Sequence, residues 1–374
     1  MANSNTRKAI TTNDFLALKR AIVVSLTALF AGLFLSFLNP ETRQKKADDR
    51  SIKIGMLISK DSSRDLSSRN SVYAAELAIE EFNKHQIQTG RPLARLIVKS
   101  CDGNWGSGSK QAVDLIFNDK VNVLAGALNG QNAHLVEQVA TKAQMVFLST
   151  SALDPTLSQI NIPWFFRSTF NDNQVSSAII KDVLIPNNFK NVVMVYQEGY
   201  DFDLGKKALI KRLSAEQLIN IKEISIHELA AKKVELNKET KAIIYFGNVQ
   251  SLKSHVKYFP VDVTVYLGSS AELAIPPLKS FPEILVPVYS DWSDEAFAGF
   301  QKKFRDRFKL EPHYHAVYTY DGISVLLKTI ENGSDDSASM ANSLRTIHHP
   351  GISGNISLDM SGDRVGTLTF KKVN

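Results

Sequence analysis

The chain of 374 residues contains a single cysteine, Cys101, so no internal disulfide can staple it and its fold must rest on packing and hydrogen bonding. Catalytic signatures are equally scarce. No serine lies in a G-x-S-x-G elbow, and His227-Glu228 lacks the second histidine of a zinc-protease helix. The pairs His313/His315 and His348/His349 have no acid or cysteine at metal-ligand spacing, so no metal or other cofactor is expected, and no enzymatic activity. The charge is also thin in the body of the chain. The formal net charge is +6, but residues 1–50 hold eight Lys/Arg against four acids, leaving a near-neutral remainder with no basic stripe for nucleic acid. Hydrophobic residues at 44% and charged residues at 22% exclude a disordered or polytopic membrane chain.

Only one apolar run is long. Residues 21–38, AIVVSLTALFAGLFLSFL, carry no charge over 18 positions, and at ~1.5 Å per residue they reach about 27 Å, close to a bilayer core. Lys19 and Arg20 precede the run, which places residues 1–20 in the cytoplasm as a short tail and the body beyond the membrane. The segment reads as a transmembrane signal anchor or a cleaved signal peptide, and bulky residues at Phe34–Leu38 favour the anchor. Residues 39–50, with Pro40 and many charges, read as a solvated linker.

From Ser51 onward, short apolar runs alternate with helical patterns, the signature of parallel α/β construction. Strands are expected at 52–58, 93–98, 121–126 and 145–149, with helices at 71–84, 107–118 and 132–142. A second series follows Arg167, with strands at 191–196, 219–226, 242–246 and 263–267 and helices between them. Two sheets are therefore expected rather than one. Helices are predicted at 294–310 and 314–331, then a glycine-punctuated antiparallel hairpin over 354–373.

Few motifs suggest chemistry. GNWGSGSK (103–110) has the glycine spacing of a phosphate loop, but Gly108 is followed by Ser109, Lys110 and Gln111 instead of Lys and a hydroxyl, so it reads as a βα loop. Trp105 in that loop is positioned either to cap a ligand or to pack on the next helix. Asp359, Gly362 and Asp363 suit a tight turn between strands.

Several segments, in order, resemble the type I periplasmic solute-binding proteins, specifically the branched-chain amino-acid-binding (Leu/Ile/Val-binding) family of ABC importers. They are AAELAIEEFN (74–83), CDGN (101–104), VNVLAGALNGQNAHLV (121–136), MVFLSTSALDPTL (145–157), FFRST (165–169), NVVMVYQEGYDFDLG (191–205), the stretch 300–330 with its Tyr-Asp-Gly junction, and SGNISLDMSGDR (353–364). The resemblance implies an α/β fold of two Rossmann-like lobes joined by three crossovers, near 168–172, 289–292 and 349–353. One lobe would be 51–168 plus 291–349, the other 169–290 plus 350–374.

A small-molecule ligand would lie between the lobes, where strand ends and helix starts present free amides. The resemblance places Asn129, Gly130, Ser151, Ala152, Leu153, Tyr200, Asn248 and Ser270 at that cleft, and Trp105 in its glycine-rich loop is a further candidate to cap the ligand. This sequence departs from the family where Gly130 replaces a hydroxyl, Leu153 a threonine and Ser270 an acid, although Glu272 lies two residues on. Asp291 and Trp292 fall at the second crossover, facing either the hinge or the ligand, and Asp321 braces the Tyr-Asp-Gly junction. The implied function is capture of a small polar organic ligand (amino acid, amide or carboxylate) on the periplasmic face of the cytoplasmic membrane for an ABC permease. The alternative is a membrane-anchored sensory or adaptor ectodomain working through a membrane partner.

Overall fold

A computed structural model describes residues 51–102, 106–159, 162–216, 219–237, 240–260, 262–268, 282–334 and 336–373. The tail, the 21–38 segment and the linker lie outside the described residues. Among the described residues no helix is long and apolar enough to cross a membrane.

The first sheet begins with β1 (Ile52–Ile58), an uninterrupted apolar run suited to a strand covered on both faces. Helix α1 (Leu66–Thr89) follows, longer at both ends than its periodicity indicates. Asp65 accepts a hydrogen bond from the Ser68 N–H at its start, and Gly90 at φ 67° closes its end in the left-handed region that glycine tolerates. Then come β2 (Ala94–Ser100), α2 (Ser107–Val113), β3 (Val123–Ala127), α3 (Gly130–Ala143), β4 (Phe147–Ser149) and β5 (Phe165–Arg167). The strands lie parallel in the order β2-β1-β3-β4-β5.

The chain then crosses to a second sheet through α4 (Asp172–Ala178), β6 (Asn191–Tyr196), α5 (Tyr200–Glu216), β7 (Asn220–Ser225), α6 (Ile226–Ala230), β8 (Ala242–Phe246), α7 (Val249–His255), β9 (Thr264–Leu267) and β10 (Glu283–Tyr289). Strand β10 escapes the apolar pattern because Pro287 interrupts EILVPVY, yet it lies inside the sheet. Pro287 pairs in register with Phe370 on a later antiparallel strand. Helices α8 (Asp294–Phe308) and α9 (Tyr314–Glu331) return to the first half. Phe297, Phe300 and Phe304 pack with Ala74 and Leu77 of α1, while Ile323, Leu326 and Leu327 enter the core beneath the first sheet.

After α10 (Ser337–Arg345), β11 (His349–Gly351) and β12 (Gly354–Ile356) pair with each other, and β13 (Leu368–Lys372) joins the far edge of β10. The single hairpin expected over 354–373 does not form. Beyond β12 only the Leu358–Arg364 bridge remains, because the Asp359 carboxylate gathers the N–H groups of Ser361 and Asp363 at 2.9 and 3.0 Å and turns the chain sharply. The third crossing also comes later than 349–353, since Ile356 and Leu358 still pack in the core of the first sheet. The second sheet runs β13-β10-β9-β8-β6-β7, parallel except for β13.

Two buried arginines tie the crossings together. Arg364, 1% exposed, donates to the carbonyls of Ser168, Ser353 and Asn355 at 3.1, 3.0 and 3.2 Å and stacks over the Tyr289 ring at 3.8 Å. Lying on the third connection between the sheets, it therefore contacts the other two and the end of the first half. Arg167 donates to the carbonyls of Ala152 and Asp154 at 2.9 Å and pairs with Asp363 at 2.9 Å.

Candidate functional site

In a parallel α/β sheet, the loops after the strands and the starts of the following helices all open at one end. Here those ends face each other across a cleft of about 470 Å³. From the first half, Ser59 follows β1, Asp65, Ser67 and Ser68 form the start of α1, and Asn129 caps α3. From the second half come Asp172 at the first position of α4, Asp201 and Phe202 at the start of α5, and Asn248 capping α7. Helix α9 adds His315 and Tyr318 to the floor.

Of the sequence-predicted residues, Asn129, Ser151, Leu153 and Asn248 lie together on this wall. The Asn129 side chain accepts from the Asn132 N–H at 2.9 Å, and its own N–H donates to the Ser59 hydroxyl at 3.0 Å. Asn248 likewise caps its helix, accepting from the Ser251 N–H at 2.7 Å. The Ser151 hydroxyl donates to the Leu128 carbonyl at 2.8 Å, and Leu153 packs toward the core of the second half.

Three others stand elsewhere. Ala152 is turned into the core, its carbonyl held by Arg167. Gly130 is buried, and its N–H donates to the Asp201 carboxylate at 2.8 Å, a contact between the two halves. Tyr200 is 44% exposed and lies off the lining; its hydroxyl donates to Asp154 at 3.1 Å, a second contact between the halves. Trp105, Ser270 and Glu272 lie outside the described residues. Asp291 holds the Asn355 amide groups, Trp292 packs on Phe297 and Tyr314, and Asp321 accepts from the Ile352 and Ser353 N–H groups, so these three serve the crossings.

The feature missed by motif reading is the cleft's acidity. Among the described lining residues, Asp65, Asp172 and Asp201 stand against Lys60 as the one fixed cation. Asp172 is 2% exposed, and its Oδ1 has no hydrogen-bond partner. Burial pushes its carboxyl well above the usual range, the charge of Asp201 adds to the rise, and Arg167 opposes it. The one available signal was its place directly after the FFRSTFN crossover, at a helix start. Nearby, His134 donates to the Asp154 carboxylate at 2.8 Å and lies 3.5 Å from Glu137. Those carboxylates raise its imidazole to about 9. His313, by contrast, is pushed down to about 3 by burial. Among the described residues no cluster could hold a metal ion.

Two open-sheet halves, three crossings and a polar cleft between strand ends define a ligand-binding protein of the type I periplasmic-binding fold. The chain belongs to the family described as the receptor family ligand binding region, whose model matches residues 71–373. Over 158 residues it is 28% identical to glutamate receptor 3.7 of Arabidopsis thaliana, spanning 42% of this chain and 16% of that receptor. Glutamate receptor 2.2 of the same plant is 30% identical over 111 residues, 30% of this chain and 12% of the receptor. The chain thus covers about a sixth or less of the length of these relatives.

Solved structures share the fold. A solute-binding protein of an ABC transporter from Rhodopseudomonas palustris BisB5, in complex with 3,4-dihydroxybenzoic acid, superposes with a TM-score of 0.73 at 20% identity, covering 87% of this chain and 93% of that one. The branched-chain amino acid transporter substrate-binding protein of Streptococcus pneumoniae, in complex with isoleucine, gives 0.68 at 19% identity, covering 86% and 99%.

Proposed function

We propose that this protein captures a small polar organic molecule in the interlobe cleft, outside the cytoplasmic membrane, and presents it to an ABC permease, with residues 21–38 serving as anchor or signal. The observation that carries the reading is the polar cleft itself, where helix starts from both halves meet beside the buried Asp172 carboxyl, whose Oδ1 has no hydrogen-bond partner. A buried acid without a partner is costly, and a ligand N–H or ammonium group relieves it. Ser59, Asn129, Ser151 and Asn248 supply further polar contacts, and the Phe202 and Tyr318 rings cover apolar parts of the ligand.

The test is a melting-temperature screen of the full chain in detergent against amino acids, amides, amines, short carboxylates and aromatic acids. A ligand at ~100 times its dissociation constant stabilises the fold by about 2.7 kcal/mol, which such a screen detects. Asp172→Asn should weaken the ligand found by about tenfold or more while leaving the empty protein at least as stable, because it removes an uncompensated acid. Unchanged affinity would take Asp172 out of the site. A second reading, a sensory ectodomain acting through a membrane partner, is favoured by the similarity to glutamate receptors. Ligand-stimulated ATP hydrolysis by a permease reconstituted with this protein supports the first reading; ligand binding with no such stimulation supports the second.

A further inference from the structure

The start of α3 is the place in the cleft best suited to an anion, since its first amides are free of intrahelical partners and carry the positive end of the helix dipole. In this protein the amides of Asn129, Gly130 and Asn132 are already taken. The N–H of Asn129 donates to Ser59 at 3.0 Å, that of Gly130 to Asp201 at 2.8 Å, and that of Asn132 to the Asn129 side chain at 2.9 Å. The middle partner is a carboxylate reaching across from α5. Its approach depends on glycine: a Cβ at position 130 would sit 2.7 Å from Asp201 Oδ1, 3.1 Å from Asp154 Cβ and 3.3 Å from Tyr200 Cε1. A ligand carboxylate bound there would have to displace Asp201 and then share the cleft with the acids Asp65 and Asp172. On the opposite side of the balance, Asp172 also lines the cleft, its Oδ1 buried beneath the surface without a hydrogen-bond partner.

We propose that Asp201 is a specificity-determining residue that fills the anion-holding end of α3 with the protein's own carboxylate, so that the cleft selects organic ammonium ions over amino acids and acids of the same skeleton. The assignment rests on the ligand-binding reading above and narrows its ligand class. Like charges brought together at a binding site disfavour the wrong partner, and here the repulsive element is built in.

Matched sets test it by titration calorimetry on the full chain in detergent: 3-methylbutylamine, leucine and 4-methylpentanoate; phenethylamine, phenylalanine and 3-phenylpropanoate; pentane-1,5-diamine and lysine. In whichever set binds, the amine should bind wild type about tenfold or more tighter than the amino acid, and the deaminated acid should be weakest. Asp201→Ala should shrink that ratio about tenfold by admitting the carboxylate, and Asp201→Asn, of equal volume, should move it the same way. The wild-type comparison stands even if a variant fails to fold. Amino acid or acid binding as tightly as the amine, or a ratio unmoved in folded Asp201 variants, would overturn the role of Asp201 while ligand binding stands. Silence from every matched compound alongside a hit elsewhere in the wider screen would remove the ammonium class alone. Silence throughout both would remove the ligand-binding reading as well.

Discussion

His134 lies between the carboxylates of Asp154 and Glu137, and Asp154 uses the same Oδ2 to receive the Tyr200 hydroxyl from the other half of the molecule. Burial pushes the Asp154 carboxyl up, but bonds from His134 and Thr156 outweigh it and leave the group well below its usual range. The imidazole, raised from 6.5 to about 9, contributes stability that is fully present below pH 6.5 and is lost as the pH rises through about 9. Denaturant titrations across that window should show wild type weakening, whereas His134→Gln should start less stable and stay level. A parallel decline in both proteins would assign the effect to other groups. Arg364→Met should cost about 3 kcal/mol or more, measured by chemical unfolding, because two buried carbonyls and a partly buried one lose their donor. Little of this was legible in the sequence. Asp154, Asp172 and Asp201 are ordinary acids in separate segments, and their meaning comes from which group each one meets across the fold, a relation that no local spacing records.

Elements were far more legible than their partners. The strands Ile52–Ile58, Asn191–Tyr196 and Ala242–Phe246 match their apolar runs because a doubly covered parallel strand needs little else to declare itself. Strand β10 was missed for the opposite reason, its proline arguing locally against a role that the neighbouring strands permit. Asn171 caps α4 by accepting from the Gln174 N–H while Gln174 returns a bond to the Asn171 N–H, and its side-chain amide also reaches Asp363. Asn171→Ala should therefore lower unfolding free energy by about 1–2 kcal/mol, the upper part of the usual capping range. At the start of α3, Gly130→Ser would displace the Asp201 carboxylate and break its bond to the residue 130 N–H, since the new Cβ falls 2.7 Å from Asp201 Oδ1. Small-angle scattering should then report a larger radius of gyration for the empty protein. Combining it with Asp201→Ala should bring no further expansion, because the contact is already lost; a further increase would show that Asp201 holds the halves together elsewhere.

At the scale of the molecule, each half borrows chain from the other's stretch of sequence, as α8 and α9 return to the first core and β13 to the second sheet. The alternation of elements indicated two sheets, but where the chain last crosses depended on the Asp359 turn and the Arg364 contacts, side-chain events that a pattern of hydrophobicity does not contain. The closing strand has a consequence for biogenesis. The first sheet has all five strands by residue 167, whereas β10 keeps one unpaired edge until residues 368–372 emerge. A nascent chain therefore spends its late synthesis with one half assembled and the other carrying an open, adhesive strand, the stage at which a chaperone would be needed and at which a chain stopped at residue 366 would aggregate.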